Sequence, residues 1–341
     1  MKIAVRMPNW LGDAVMALPA LEDLVATFPD ARIHVFATPP ARGVLDHAEL
    51  PVELHTLERP MGRVRMFRRA LRVLRRERYE LGVIFPPSLS SALLFQLGGV
   101  RARVGYRGHG RARLLTHAME DVPRGDVHLS HELRALAAEA ARALGRRPGV
   151  GSGHARVTPT SEGRARIRAL IDEDGPPVAV LAPGAVYGPT KRWPAASFAA
   201  LADRLAEEHG ARIVLTGAAQ DVPVCREVHA SATCDPLDLS GRTGLETLVA
   251  LLAGAALVVS NDSGAMHLAA AAGAPVVAIF GSTNPRWTSP LSERSHVIWR
   301  RESCAPCYRR RCPIGEVCLR RIDVDQVAAA CRELLGGRLV G

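Results

Sequence analysis

Short apolar runs and segments of helical periodicity alternate along the first part of the chain. Short, mostly apolar runs predict buried strands at 3–7, 32–36, 81–85 and 103–106. Apolar residues recurring every three or four positions predict helices at 14–28 and 90–97. Strands that alternate with helices are typical of a parallel sheet connected by crossover helices.

A second series of the same kind follows residues 146–153, which have the composition of a linker. After a polar helix at 161–172, strands are predicted at 177–181, 212–216, 257–260 and 276–280. Helices are predicted at 196–209, 245–253, 266–272 and 324–335. We therefore predict an α/β protein of two doubly wound, Rossmann-like domains, residues 1–160 and 161–341, facing a cleft. Ligands of such sheets bind beyond the carboxyl ends of the strands, so the loops there are the candidate sites.

The positive charge comes almost entirely from arginine. The 341 residues carry a formal net charge of +10, yet only Lys2 and Lys191 of the 44 basic residues are lysines. Because this arginine bias explains most of the charge, the one internal lysine, Lys191, stands out. A nucleic-acid partner is disfavoured, since aromatic residues make up only 4% of the chain and form no platform with basic residues.

The chain is expected to be cytoplasmic. No apolar run reaches the ~20 residues that cross a bilayer, and residues 1–10 lack the layout of a signal peptide. Seven cysteines in a chain of this length do not make a disulfide framework, so reduced thiols are expected.

A loop in the second domain, residues 183–194, combines two glycines with Tyr187, Thr190 and Lys191. An ammonium group is a compact charge that is suited to binding a phosphate. The alternative is a solvated lysine, which the scarcity of lysine in this chain disfavours.

A second loop, residues 261–264, precedes a predicted helix. Asp262 or Ser263 would cap that helix, Gly264 would let a ligand approach the backbone, and His267 lies in the first turn. The N–H groups and positive end of the helix favour an anion. The alternative, an ordinary N-cap followed by a half-buried histidine, stays open at this point.

The third loop, residues 216–221, presents the carboxylate of Asp221, which suits ribose hydroxyls or serves as an N-cap. Together the three loops indicate a nucleoside-diphosphate site. The patterns GxGxxG and GxxxxGK[ST] are absent from them, which argues against an ordinary dinucleotide fold or a P-loop enzyme. In the first domain, Asp13 is either an N-cap carboxylate or a general base, and the residues alone do not decide.

Three long motifs together resemble the ADP-heptose glycosyltransferases of lipopolysaccharide synthesis, glycosyltransferase family 9. They are NWLGDAVMALPAL from residue 9, PGAVYGPTKRWP from residue 183 and SNDSGAMHLAAAAGAPVVAIFGSTNP from residue 260. The branch that adds the second inner-core heptose is the most similar. The resemblance implies a GT-B fold and an inverting, metal-independent transfer from ADP-L-glycero-D-manno-heptose. The acceptor implied is the lipopolysaccharide inner core, lipid A–Kdo–heptose.

The resemblance also implies roles for individual residues. Asp13 would be the catalytic base, and Lys191 would stabilise the phosphates of the departing ADP. The donor would be bound by Tyr187, Thr190, Lys191, Asp221, Asp262, Ser263, Gly264 and His267. The 1–160 domain would bind the acceptor, and the 161–341 domain the ADP-sugar.

Arginines are concentrated at 59–78, a predicted helix in which Leu71 and Leu74 would face the core. A solvated helix face explains most of these arginines. The functional alternative is attraction to acidic core sugars and to the inner membrane, with peripheral contact at its cytoplasmic face. The candidate acceptor-binding residues are Asn9, Trp10, Arg59, Arg63, Arg107 and Arg111.

Four cysteines lie within fifteen residues, at Cys304, Cys307, Cys312 and Cys318. Four thiolates can hold zinc or iron, and three neighbouring arginines would offset their charge. The alternative is four reduced thiols in a loop. No cofactor is expected for catalysis. The rival functions are transfer of another nucleotide sugar or to another acceptor, and nucleotide binding without catalysis.

Overall fold

The computed structural model describes residues 1–58, 62–172 and 175–336. Contacts divide the chain into two compact units, Met1–Ala155 and Arg156–Gly341, five residues before the predicted boundary. Each unit is built around its own parallel sheet, with helices as the connections between successive strands.

The first unit contains six strands in its described residues. They are β1 (Lys2–Arg6), β2 (Arg32–Ala37), β3 (Glu53–Thr56), β4 (Leu81–Ile84), β5 (Ala102–Tyr106) and β6 (His117–Met119). The helices are α1 (Leu11–Met16), α2 (Leu18–Thr27), α3 (Pro39–Leu45), α4 (Arg63–Glu77), α5 (Leu89–Leu97) and α6 (Leu129–Ala143), with a 3₁₀ turn at Ala112–Leu114. The strand order is β3-β2-β1-β4-β5-β6, and every pairing is parallel.

The second unit repeats this plan. Its strands are β7 (Val178–Ala182), β8 (Arg212–Leu215), β9 (Leu237–Asp238), β10 (Leu257–Asn261), β11 (Val276–Phe280) and β12 (Ser295–Trp299). Its helices are α7 (Ser161–Arg168), α8 (Ala195–His209), α9 (Val222–Ser231), α10 (Leu245–Gly254), α11 (Gly264–Ala271), α12 (Pro285–Thr288), α13 (Val317–Arg320) and α14 (Val324–Gly336). Short 3₁₀ turns lie at Pro189–Lys191 and Ala219–Asp221. The sheet order is β12-β11-β10-β7-β8-β9, again with parallel pairings.

Both sheets therefore have the doubly wound order in which the first and fourth strands of the unit lie side by side. The predicted class, two doubly wound Rossmann-like halves, is confirmed. Chain direction across the sheet reverses at this pair, so the loops beyond it separate and leave a crevice. The switch points are β1/β4 in the first unit and β7/β10 in the second.

The helix predicted at 14–28 is two helices in the structure, because Pro19 lies in the first turn of the second one. A proline has no N–H to donate to the carbonyl four residues earlier, so the backbone turns at Ala17. The first helix begins at Leu11, which places Asp13 in its first turn.

The segment of linker composition is bound to the first unit. Backbone N–H groups of Gly149 and Gly151 donate to Thr27 Oγ1 (2.8 Å) and Asp23 Oδ1 (2.7 Å) on α2. A Cβ at Gly149 would lie 2.6 Å from the α2 backbone, so glycine permits this close approach. The composition of residues 146–153 indicates a linker but does not reveal this docking on α2.

None of the helices in 1–58, 62–172 and 175–336 combines the length and apolar character needed to cross a membrane.

Candidate functional site

Asn261, at the end of β10, holds together the loop that carries Lys191. Its side-chain Nδ2 donates to Pro183 O (2.7 Å), and its Oδ1 accepts the backbone N–H of Trp193 (3.0 Å). The side chain is fully buried, so water cannot replace either bond. One amide thus joins the two ends of the 183–193 loop across the β7/β10 switch point. No role was predicted for Asn261, although an asparagine that directly follows an apolar strand could have indicated a buried polar contact.

Lys191 and Asp262 come together at this switch point. Lys191 Nζ lies 2.5 Å from Asp262 Oδ2, and the hydroxyl of Thr283 donates to the same oxygen at 2.5 Å. The Asp262 side chain is 4% exposed and that of Lys191 is 14% exposed, so the pair is largely shielded from water. The carboxylate fixes the position of the ammonium. Thr283, in the loop after β11, was not predicted.

The two predicted hydroxyls, of Tyr187 and Thr190, bond to backbone in this structure. Tyr187 Oη donates to Tyr308 O, and Thr190 Oγ1 donates to Arg309 O at 2.5 Å. The Tyr187 ring lies 5.0 Å from Lys191 Nζ, within range of a cation–π interaction. Both side chains therefore connect residues 183–194, the lysine loop, to residues 304–318, the cysteine-rich segment.

Helix α11 begins beside Asp262. Ser263 is its N-cap, Gly264 is its first residue and His267 is buried in the first turn. The Ser263 hydroxyl lies 3.1 Å from that of Ser260. The first N–H groups of a helix have no partner within the helix, and its N-terminal end is electropositive. An anion binding beside Lys191 would meet this helix end as well.

Asp221 is held between two glycines. A Cβ at Gly184 would lie 2.2 Å from its carboxyl carbon, and one at Gly217 would lie 2.7 Å from its Cβ. The carboxylate accepts the Ala218 N–H at 3.1 Å and lies 3.5 Å from Arg192 Nη2. Burial raises the pKa of the Asp221 carboxyl, against the opposing effects of these two neighbours. Asp221 is the residue before α9, but its side chain makes no capping hydrogen bond to that helix.

In the first unit, the loop after β1 positions three predicted residues. Asp13 is half-buried in the first turn of α1, whose N-cap, Trp10, is 54% exposed. The side-chain oxygen of Asn9 accepts a hydrogen bond from Arg6, whose guanidinium also bonds to Met7 O. This network fixes the loop at the β1/β4 switch point.

Arg111 is wholly buried beside the same switch point. Its Nη1 donates to Pro86 O at 2.6 Å, in the loop after β4, while Nε and Nη2 have no hydrogen-bond partner. Burial lowers the pKa of this guanidinium, and the Asp121 charge opposes that shift. Arg107, by contrast, is half-exposed and paired with Glu120.

The basic helix α4 buries a narrow stripe. Ala70 and Leu74 are buried, and the predicted core residue Leu71 is half-buried. Its exposed arginines are Arg65, Arg68, Arg69, Arg72, Arg75 and Arg76. Of the predicted acceptor residues, Arg59 lies outside the described residues, and the side chain of Arg63 does too.

The four clustered cysteines line one cavity of about 20 Å³, together with Thr190 of the lysine loop and Ser282 of the loop after β11. Their thiols are free, and in the described chain no three of their sulfur atoms lie within 4.8 Å of one another. Among the described residues, the ligand atoms that meet this distance belong to His34, Glu53 and His55, on β2 and β3.

Residues 67–318 match the sequence profile of glycosyltransferase family 9 (heptosyltransferase). Lipopolysaccharide heptosyltransferase 2 of Salmonella typhimurium is 33% identical over 319 residues, which cover 87% of this chain and 88% of that protein. Lipooligosaccharide heptosyltransferase 2 of Haemophilus influenzae is 31% identical over 312 residues, with the same coverage. The solved structure of Escherichia coli ADP-heptose lipopolysaccharide heptosyltransferase II covers 99% of each chain, with a TM-score of 0.82 and 28% identity.

Proposed function

This chain is a member of glycosyltransferase family 9, the heptosyltransferases, and on that basis we propose that it transfers L-glycero-D-manno-heptose from ADP-heptose to the lipopolysaccharide inner core. The family resemblance of the three sequence motifs is confirmed. The proposed acceptor is lipid A–Kdo–heptose, and the proposed transfer inverts the anomeric centre. The observation that carries the proposal is the Lys191–Asp262 pair beside the start of α11, at a switch point.

The donor is proposed to bind in the second unit, with its diphosphate at the β7/β10 switch point. Lys191 and the N–H groups of Ser263 and Gly264 would meet the phosphates, and Asp262 would lie near the donor sugar. His267, in the first turn of α11, would add to the stabilisation of the phosphates. The Asp221 carboxylate, with one oxygen lacking a hydrogen-bond partner, is proposed for the ribose hydroxyls.

In the proposed reaction, Asp13 accepts the proton of the acceptor hydroxyl while that oxygen attacks the anomeric carbon. The bond between this carbon and the phosphate oxygen breaks, and ADP leaves with the electron pair. Lys191 and the α11 N-terminus would stabilise the negative charge that develops on the departing ADP in the transition state. We propose that the step uses no metal or other cofactor.

The acceptor is proposed to bind to the first unit. The unpartnered nitrogens of buried Arg111 support this, because a guanidinium out of water gains most from an anionic partner such as a phosphate or a sugar carboxylate. Asn9, Trp10 and Arg107 are proposed as further contacts, together with Arg59 and Arg63.

The exposed arginines of α4 support a proposal about location. We propose that the enzyme acts in the cytoplasm, with peripheral contact between this helix and the anionic surface of the inner membrane.

We also propose that Cys304, Cys307, Cys312 and Cys318 bind one structural zinc or iron ion. All four line the same small cavity, and their thiolates are a ligand set that suits either metal. Bonds of about 2.3 Å would require the sulfur atoms to move closer together than they are here. Cys304 is exposed, which leaves its side chain room to turn inward.

The test of the function is ADP release from ADP-heptose with a heptose-bearing core acceptor, measured beside UDP- and GDP-sugars. Asp13→Asn should lower turnover by roughly 10²–10⁴-fold, the contribution of a general base, while ADP binding changes little. Asp30→Asn, at an exposed aspartate following α2, is the control and should behave as the unmodified protein.

Near-normal turnover by Asp13→Asn would remove the base assignment. Preference for a UDP- or GDP-sugar would favour a different transferase of the same family. ADP binding without turnover on any sugar nucleotide would favour the non-catalytic alternative.

A further inference from the structure

The arginine loop, residues 307–312 of the cysteine-rich segment, is bonded to both sides of the proposed donor site. The N–H groups of Cys307 and Tyr308 donate to Ser282 O, in the loop after β11, at 3.0 and 2.9 Å. From the other side, the hydroxyls of Tyr187 and Thr190 donate to the carbonyls of Tyr308 and Arg309. The arginine loop is therefore one wall of the site.

Gly188 shows that this contact is built into the lysine loop. Its φ of +145° lies in the region that favours glycine, and a Cβ there would be 2.7 Å from Arg310 O. Any larger residue would push the two loops apart. The backbone of the lysine loop is therefore shaped to receive the backbone at Arg310.

Neutralising a diphosphate at the proposed donor site requires more positive charge than Lys191 supplies. The ammonium of Lys191 is already paired with Asp262 at 2.5 Å, so together they add no net charge. A nucleoside diphosphate brings at least two negative charges close to that carboxylate. The α11 N-terminus offsets about half a charge, which leaves the diphosphate short of a positive partner.

Arg310 is suitably placed to be that positive partner, and its side chain is available to bind a ligand. Its guanidinium carbon lies 5.2 Å from the centre of the Tyr187 ring, the same ring that Lys191 Nζ approaches to 5.0 Å. The residue is exposed, and in the described part of the chain no carboxylate lies within ion-pair distance of it. A guanidinium presents paired N–H groups to phosphate oxygens, which an ammonium cannot.

We propose that Arg310 is a second cation of the donor site and binds the diphosphate of the nucleotide sugar. The inference rests on the proposed donor site at the β7/β10 switch point. Tyr187 positions both cations, and the bonds from Thr190 and Ser282 hold the arginine loop in place. The cysteine-rich segment thus contributes directly to donor binding and determines how tightly a diphosphate is held.

The test measures ADP, AMP and adenosine binding to the full-length protein by calorimetry at low and high salt. Arg310→Ala should weaken ADP binding roughly ten- to one-hundredfold, the effect of losing a hydrogen bond to a charged group, and flatten its salt dependence. Adenosine binding should stay unchanged, because it has no phosphate. Arg311→Ala, one residue along the same loop and exposed, is the matched control and should match the unmodified protein.

Arg310→Lys should recover part of the loss, since it restores the charge but not the paired N–H groups. Equal ADP affinities in Arg310→Ala and Arg311→Ala would overturn the assignment, as would an equal loss for adenosine. These binding measurements need no turnover, so they test the role of Arg310 even if the protein does not catalyse the proposed transfer. If the unmodified protein binds no ADP, the proposed donor site itself is wrong.

Discussion

Lys191 is the residue at which composition and geometry agree. Its rarity in an arginine-rich chain singled it out, and the structure pairs it with Asp262 and places it over Tyr187. The carboxylate and the Thr283 hydroxyl hold the ammonium in place, as the proposed electrostatic role of Lys191 requires. Thr283 could not be predicted, because its contact with Asp262 spans the β10–β11 connection.

Lys191→Ala should weaken ADP-heptose binding and slow transfer, because the departing diphosphate loses a fixed positive charge. The expected loss in kcat/KM is roughly 10²–10³-fold, as for removal of one donor from an oxyanion site. Steady-state ADP release would measure it. Lys2→Ala is the matched control, since Lys2 is the other lysine and pairs with Glu77. Comparable kinetics for the two variants would contradict the role of Lys191.

At the scale of elements, periodicity located the central strands well and the edge strands not at all. β1, β4, β7 and β10 are buried runs, and each was predicted within one or two residues. β3, β6, β9 and β12 are the sheet edges, are largely half-exposed and have no continuous apolar run longer than three residues. An edge strand is defined by its neighbour across the sheet, which local sequence does not reveal.

The cysteine-rich segment is an element whose order is proposed to depend on metal. Protein purified under reducing conditions should contain about one zinc or iron per chain by elemental analysis, as a four-thiolate site predicts. Cys307→Ser combined with Cys312→Ser should remove the metal and lower the thermal unfolding midpoint. Cys234→Ser, which alters a half-buried thiol outside the segment, should retain it. Protein with neither metal, or a double variant that keeps its metal, would refute the proposal.

Across the whole molecule, the net charge of +10 matters less than where it lies. The α4 arginines form an exposed face on one helix, whereas Lys191 is enclosed and Arg111 is buried. A surface cluster of this kind attracts an anionic membrane by about 1 kcal/mol for each basic residue near it.

Neutralising that face should therefore release the protein from anionic vesicles. With Arg65, Arg68, Arg69 and Arg72 changed to Gln, co-sedimentation with phosphatidylglycerol-rich vesicles should fall by at least tenfold at low salt. The unmodified protein and this variant should both fail to bind neutral phosphatidylcholine vesicles. The matched control changes four arginines that are exposed elsewhere to Gln: Arg147, Arg164, Arg226 and Arg301. Its co-sedimentation with the anionic vesicles should fall much less. Equal losses in the two variants would show that total charge, not α4, determines binding.

Local sequence was sufficient for the α/β class, the repeat of the plan in two halves and the positions of the candidate loops at the strand ends. These features depend on periodicity and on residues adjacent in the chain. The convergence of the 183–193 loop with Asp262, the burial of Arg111 and the docking of Arg310 on Gly188 required the tertiary structure. Each depends on strand order, which places β7 beside β10 although α8, α9 and α10 separate them in the chain. Contacts between distant segments arise from packing of the whole unit, and no local pattern encodes them.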